Sequence, residues 1–184
     1  MSPQTSTAGG SVNRYYGKYR GLVINNIDPL QIGRVMLQCA DVLGDIPSSW
    51  ALPCVPAAGI QAGMFIVPPI GSQVWVEFEQ GNPDYPIWTG GFWGLVADIP
   101  VFATAPPAIP PGQNIILQTT GQRTLLLSDA PPTPATGGII LKAGTAMIVV
   151  NETGIYISNG QGATITMIGP AVAINQTALT IVGA

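Results

Sequence analysis

From Gly138 to the end of the chain, apolar and polar positions alternate with a period of two. The runs are Ile155-Tyr156-Ile157-Ser158, Thr164-Ile165-Thr166-Met167, Val172-Ala173-Ile174-Asn175 and Leu179-Thr180-Ile181. An apolar residue at every second position, with mostly small or polar ones between, predicts strands with one buried face. Gly144, Gly154, Gly160, Gly162 and Gly169 punctuate the runs, as turns between strands require. The alternation starts earlier, at Ile115/Leu117, Leu125/Leu127, Ile139/Leu141 and Ile148/Val150. The pairs Ile165/Met167, Val172/Ile174 and Leu179/Ile181 then recur every seven residues.

Strands this short, strung in series, bury too little apolar area to offset roughly 1–2 kcal/mol of backbone ordering per residue. No helical pattern follows to cover an open sheet, and bare edges aggregate. Stacking the inward faces around an axis shared by several copies removes both problems. Residues 113–184 are therefore expected to form a strand-per-turn β-helix or β-prism needle shared by three chains. Its trimer core is assigned to Ile148, Val150, Ile155, Ile157, Ile165, Met167, Val172, Ile174, Leu179 and Ile181. Eight inward pairs at about 4.8 Å per stacked strand give a needle of roughly 40 Å. An ordinary β-sandwich fits the same spacing and stays open as the alternative.

The earlier part of the chain also reads as strands. Residues 1–13 are small and polar and are expected to be flexible. Tyr15–Ile24 is rich in aromatic and β-branched residues, Gly33–Gln38 resumes the strand, Trp50–Val55 reads as a third strand broken by Pro53, Met64–Val67 leads into a turn, and Tyr85–Trp93 closes the region. Gln73–Glu79 alternates, with Val74, Val76 and Phe78 on one face and Trp75, Glu77 and Glu79 on the other. Turn clusters at Asn25–Pro29, Pro68–Gly71 and Gly81–Asp84 separate these runs. Several short strands without a helical period predict a small closed barrel over residues 14–98. Residues 99–112 hold five prolines and no charge, and read as a stiff extended connector. Pro131, Pro132 and Pro134 mark a loop inside the tail.

The segments YYGKYRGLVINNIDPLQIGRVMLQCADVLG, LPCVPAAG and GMFIVPPIGSQVWVEFEQGNPDYPIWTGGFW resemble the OB-fold of phage baseplate assembly protein V and VgrG-type central spikes. The run from Pro68 to Trp88 is the most distinctive part. The resemblance covers residues 15–93 and implies an all-β protein, an N-terminal OB-fold barrel followed by a C-terminal trimeric needle. It implies a structural spike of a contractile phage tail or injection system, seated in a ring of baseplate hub proteins and used to puncture the target envelope. A separate tip-capping protein is expected to dock on the uncharged end Ile181-Val182-Gly183-Ala184. On this reading the target membrane is contacted only on puncture. The protein is expected to be made in the bacterial cytoplasm without a signal peptide and to become part of the particle.

Composition narrows the chemistry. Charged residues make up only 8% of the chain, and burial at subunit contacts accounts for so few better than a solvated monomer does. A net charge of −3, with six Lys and Arg, argues against nucleic-acid binding, which needs clustered cations. The N-terminus lacks the apolar core of a signal peptide, and no apolar run is long enough for a membrane helix. Without histidine, the Ser-His-Asp and Cys-His nucleophile systems and HExxH metal sites are absent. No cofactor or metal is expected. Cys39 and Cys54 read as small buried hydrophobes, with a disulfide as the alternative.

Two rival functions have residues to carry them. Glu77 and Glu79, with Asp84 beyond the turn, form a carboxylate pair of the kind that hydrolyses glycosides. Their other reading is a solvated strand end paired with Lys18, Arg20 or Arg34. Trp50, Trp75, Trp88 and Trp93, with Tyr15, Tyr16, Tyr19 and Tyr85, would make a sugar-stacking platform if exposed together, and otherwise fill the barrel or subunit contacts.

Overall fold

A computed structural model describes residues 13–104, 114–176 and 178–182. Residues 1–12 of the expected flexible segment, 105–112 of the expected connector, and Gly183 and Ala184 lie outside the described residues. The chain divides into two compact units, one ending at Gly94 and the other starting at Leu95.

The first unit contains β1 (Tyr19–Asn25), β2 (Met36–Gln38), β3 (Leu52–Pro53), β4 (Ala58–Gly59), β5 (Ala62–Gly63), β6 (Gln73–Phe78) and β7 (Pro86–Phe92). Five of these form one sheet in the order β2-β1-β6-β7-β3, while β4 and β5 make a small separate hairpin. A bridge between Val35 and Ala51, with backbone bonds of 3.2 and 2.8 Å in the two directions, joins the β2 end to the β3 end. The sheet thus closes on itself, which removes its free edges. Val74, Val76 and Phe78 point inward as the alternation in β6 requires, and meet Val23, Val35, Leu37, Cys39 and Trp88. Glu79 is not on the strand: it opens a 3-10 turn, Glu79–Gly81.

Two small elements are absent from the sequence pattern. The helix α1 (Ala40–Leu43) is one turn long, too short to show a period, and its Val42 and Leu43 pack on the barrel core. The β4–β5 hairpin falls in a stretch without period-two alternation. The two cysteines part company. Cys39 is buried in the core, where burial, helped by Asp41, raises its thiol pKa, whereas Cys54 is exposed. Both are free, so Cys54 is not the buried hydrophobe expected of it.

The loop after β1 is held by one side chain. Asp28 accepts backbone N–H bonds from Leu30, Ile32 and Arg34, at 3.0, 3.0 and 3.2 Å. Arg34 also donates Nε and Nη2 to Asp28 Oδ1, at 3.0 and 2.6 Å. The Arg34 bonds, joined by the loop amides, hold the Asp28 carboxyl well below the usual carboxylate range against the opposing effect of burial. A lowered folded pKa means stability that is complete above the unfolded value, near 3.9, and lost as pH falls toward the folded one. Asp28→Asn should therefore lower the denaturation midpoint of the barrel at pH 7. The gap from the native protein, followed by tryptophan fluorescence, should narrow as pH drops below about 4.

The second unit opens with a 3-10 turn, Val96–Asp98, followed by a short helix, α2 (Val101–Thr104), where an extended connector was expected. Eight strands follow: β8 (Asn114–Gln118), β9 (Arg123–Thr133), β10 (Thr136–Ala143), β11 (Ala146–Asn151), β12 (Gly154–Ser158), β13 (Thr164–Ile168), β14 (Ala171–Ile174) and β15 (Leu179–Val182). Each pairs antiparallel with the next, giving one sheet from β8 to β15 in chain order. The winding of a β-helix is not shown. Strands joined by tight turns return beside themselves, so a single chain makes a meandering wall. Pro131 and Pro132 lie on the extended end of β9, not in a loop; only Pro134 and Ala135 separate β9 from β10. The register of this long hairpin shifts between Thr136 and Gly138. Gly138 has φ +77°, and a Cβ there would collide with the carbonyl oxygen of Val150 on β11.

Candidate functional site

The register of the meander brings the alternating residues into line. One row runs Ile115, Leu127, Ile139, Val150, Ile155, Met167, Val172, Ile181. The other runs Leu117, Leu125, Leu141, Ile148, Ile157, Ile165, Ile174, Leu179. All ten residues assigned to a trimer core lie in these two rows, on one face. Within the chain that face is left open, with Ile115 66%, Ile139 46%, Ile165 37% and Ile181 60% exposed. At roughly 60 Å² of bare apolar surface per residue, the face comes to about 1,000 Å², well above the few hundred that monomers leave in one patch.

The opposite face changes character along the sheet. Its central column reads Ile116, Leu126, Ile140, Val149, Tyr156, Thr166, Ala173, Thr180. Leu126, Ile140, Val149 and Tyr156 are buried in a second core, against which Phe102 of α2 packs. Beside Phe102 lies a cavity of about 240 Å³, lined by Thr124, Leu126, Ile140, Lys142 and Met147 among others. Its one charged group, Lys142, sits 4.7 Å from the centre of the Phe102 ring. On β13 and β14 the column turns to Thr166 and Ala173, both half-buried.

Asparagines stitch the turns. Asn151 donates Nδ2 to the carbonyls of Thr133 and Thr136, at 2.7 and 3.0 Å. Its Oδ1 accepts from the Thr153 N–H and hydroxyl, and that hydroxyl meets the Tyr156 hydroxyl at 2.8 Å. Asn159 Oδ1 accepts from Gln161 and Ala163 N–H, and Asn175 Oδ1 from Thr164 N–H.

The residues of the rival readings are dispersed. Glu77 pairs with Lys18 at 2.8 Å, both side chains about half exposed, while Arg34 is taken by Asp28. Arg20 lies over the rings of Trp75 and Phe92, at 5.9 and 5.4 Å. Trp88 is buried and donates its indole N–H to the Gly33 carbonyl at 3.1 Å, and Trp50 lies beneath Arg34. Tyr15 and Tyr19 pack against Phe78. Of the tryptophans only Trp93 is largely exposed, at 62%. Among the described residues no group of three or more His, Cys, Asp or Glu is placed to hold a metal, and no helix is long and apolar enough to cross a membrane.

A closed barrel joined in sequence to a meander with one bare aliphatic face defines an all-β assembly protein. Residues 19–93 match the type VI secretion system/phage-baseplate injector OB domain. Residues 114–180 match the phage baseplate V C-terminal trimerisation domain. The chain belongs to the baseplate assembly protein V and spike family. No curated protein matches it. The family assignment carries a structural role in the baseplate and supports a homotrimer.

Because Asn151 ties the β9–β10 and β11–β12 turns together, Asn151→Ala should cost about 0.5–1.5 kcal/mol, the net worth of an ordinary hydrogen bond, since its partners are exposed or half-buried. Thermal unfolding measures it. Faster amide exchange at Thr153, whose N–H loses its acceptor, should accompany the loss.

Proposed function

We propose that this protein is the central spike of a contractile phage tail or injection system. Three copies bring their aliphatic walls together around a common axis and close a prism-shaped needle. The barrels seat in the baseplate hub, and sheath contraction drives the needle against the target envelope, so that the membrane is met only on puncture. The mechanism is mechanical and not enzymatic, and uses no cofactor and no nucleic acid. Stiffness comes from the continuous antiparallel ladder, with the aliphatic rows excluding water from the axis. The protein resides in the particle. A separate tip protein would dock on the uncharged segment Ile181-Val182-Gly183-Ala184.

The observation that carries this reading is the pair of aliphatic rows, one residue from each of the eight strands, unbroken by any charge. A bare wall of that size calls for a partner wall with the same repeat, and identical copies supply it. Ile148, Val150, Ile155, Ile157, Ile165, Met167, Val172, Ile174, Leu179 and Ile181 would form the core of the contact.

Light scattering of the full chain should give the mass of three copies. Ile165→Asp puts a carboxylate on the wall without a counter-ion, where burial costs on the order of several kcal/mol per charge. It should abolish the trimer. Thr166→Asp, one residue on and facing the other way, should leave the trimer intact. Equal loss in both variants, or a folded single chain of native sequence, would overturn the reading.

A further inference from the structure

The cavity on the back of the meander plays no part in the aliphatic wall. Every residue lining it belongs to the second unit of a single chain. Register and period-two geometry order its lining. Thr124, Lys142 and Met147 stand side by side on β9, β10 and β11, and Leu126 and Ile140 form the next row along the strands. Ser128 belongs to a third row, so the lining follows β9 over four residues, about 13 Å of strand. Phe102 of α2 packs against the middle row.

One end of this cavity is cationic and its middle is apolar. Lys142 is half-buried, with its ammonium 4.7 Å from the centre of the Phe102 ring. The ion pairs among the described residues are Lys18–Glu77 and Asp28–Arg34, so none of those residues brings a carboxylate within reach of Lys142. Positions 1–12, 105–113, 177, 183 and 184 hold no Asp or Glu, and so have no acidic side chain to offer it. A half-buried cation beside apolar walls lacks the counter-charge that favours its ionised form. An anionic head on an apolar body supplies what both parts of the cavity lack, in the manner of ligand sites with a few polar groups set among apolar ones.

We propose that this cavity binds an aliphatic monocarboxylate, its carboxylate on the Lys142 ammonium and its tail along Leu126 and Ile140 beside Phe102. Its volume of about 240 Å³ takes a body of about eight methylene-sized groups, at about 30 Å³ for each water-sized volume. The carboxylate accepts a charge-assisted hydrogen bond from Nζ, and the tail displaces water from the middle row. A second carboxylate on the ligand would find no cation, because Lys142 is the one charged group of the lining. The lining lies on the face opposite the aliphatic rows, so the inference does not rest on the trimer.

The test uses the full chain with isotope-labelled methionine methyl groups, titrated with octanoate and followed by NMR. Met147 reports the cavity, Met167 the aliphatic rows and Met36 the barrel. Octanoate should shift the Met147 resonance saturably and leave that of Met36 in place. Octanol, with the same tail and no charge, should bind at least about tenfold more weakly. Lys142→Met, which keeps an apolar stem without the charge, should weaken octanoate by a similar factor and leave octanol unchanged. Equal affinity of the native chain for octanoate and octanol would overturn the proposal without recourse to any variant. A shift of Met167 alone would place octanoate on the bare rows and would also overturn it, as would the lack of a saturable shift at Met147. The mass of the particle, which tests the trimer, is untouched by any of these results.

Discussion

An aliphatic wall that its own chain leaves bare is the constraint on which the rest of this molecule turns. A sheet face of about 1,000 Å² in contact with water would forgo roughly 25 kcal/mol of apolar burial at 25 cal/mol per Å². Few 90-residue units hold a net stability approaching that figure. The second core, formed by Leu126, Ile140, Val149 and Tyr156 with Phe102, covers only the first strands on the opposite side. Beyond β12 no buried core among the described residues lies behind the wall, and Thr166 and Ala173 stand where core residues would. Covering the rows therefore matters most where the sheet is thinnest.

Charge is placed to serve the same end. Lys142 and Glu152 are the only charged residues from Gly138 onward. Lys142 is in register with Thr124 and Met147, off the rows and over Phe102, and Glu152 sits in the turn after β11. Polar demand along the wall is met by Asn151, Asn159 and Asn175, which bond backbone groups at the turns. Those bonds give Asn151 and Asn175 a structural purpose. Neutral side chains at the turns leave the rows free of any group that burial would penalise.

The barrel solves a different problem with different means. It closes on itself through the Val35–Ala51 bridge, so it needs no partner to satisfy its edges. Its one well-buried ion pair, Asp28–Arg34, organises a loop through three backbone amides. Position at a loop mouth lets that pair keep its hydrogen bonds without the full desolvation cost of a core charge. The loop then becomes a fixed surface feature, which is what an assembly protein requires of its exposed loops.

Period-two alternation was enough to mark the strand pairs from Ile115/Leu117 to Leu179/Ile181, and Val74, Val76 and Phe78 of β6, because side-chain direction along a strand is a local property. Absence of histidine likewise removed whole classes of chemistry before any fold was known. Other features depend on which distant segments meet, and no local pattern carries that. Arg34 read as a partner for Glu77 and Glu79, but the turn after β1 gives it to Asp28, six residues away. Trp88 could have been a binding surface, but pairing of β7 with β3 and β6 put it inside. Cys39 and Cys54 look alike in sequence and differ in burial because only Cys39 faces the barrel core. Even the wall needed its tertiary register: a slip of one residue at any hairpin would have set Thr166 or Ala173 into a row and broken it.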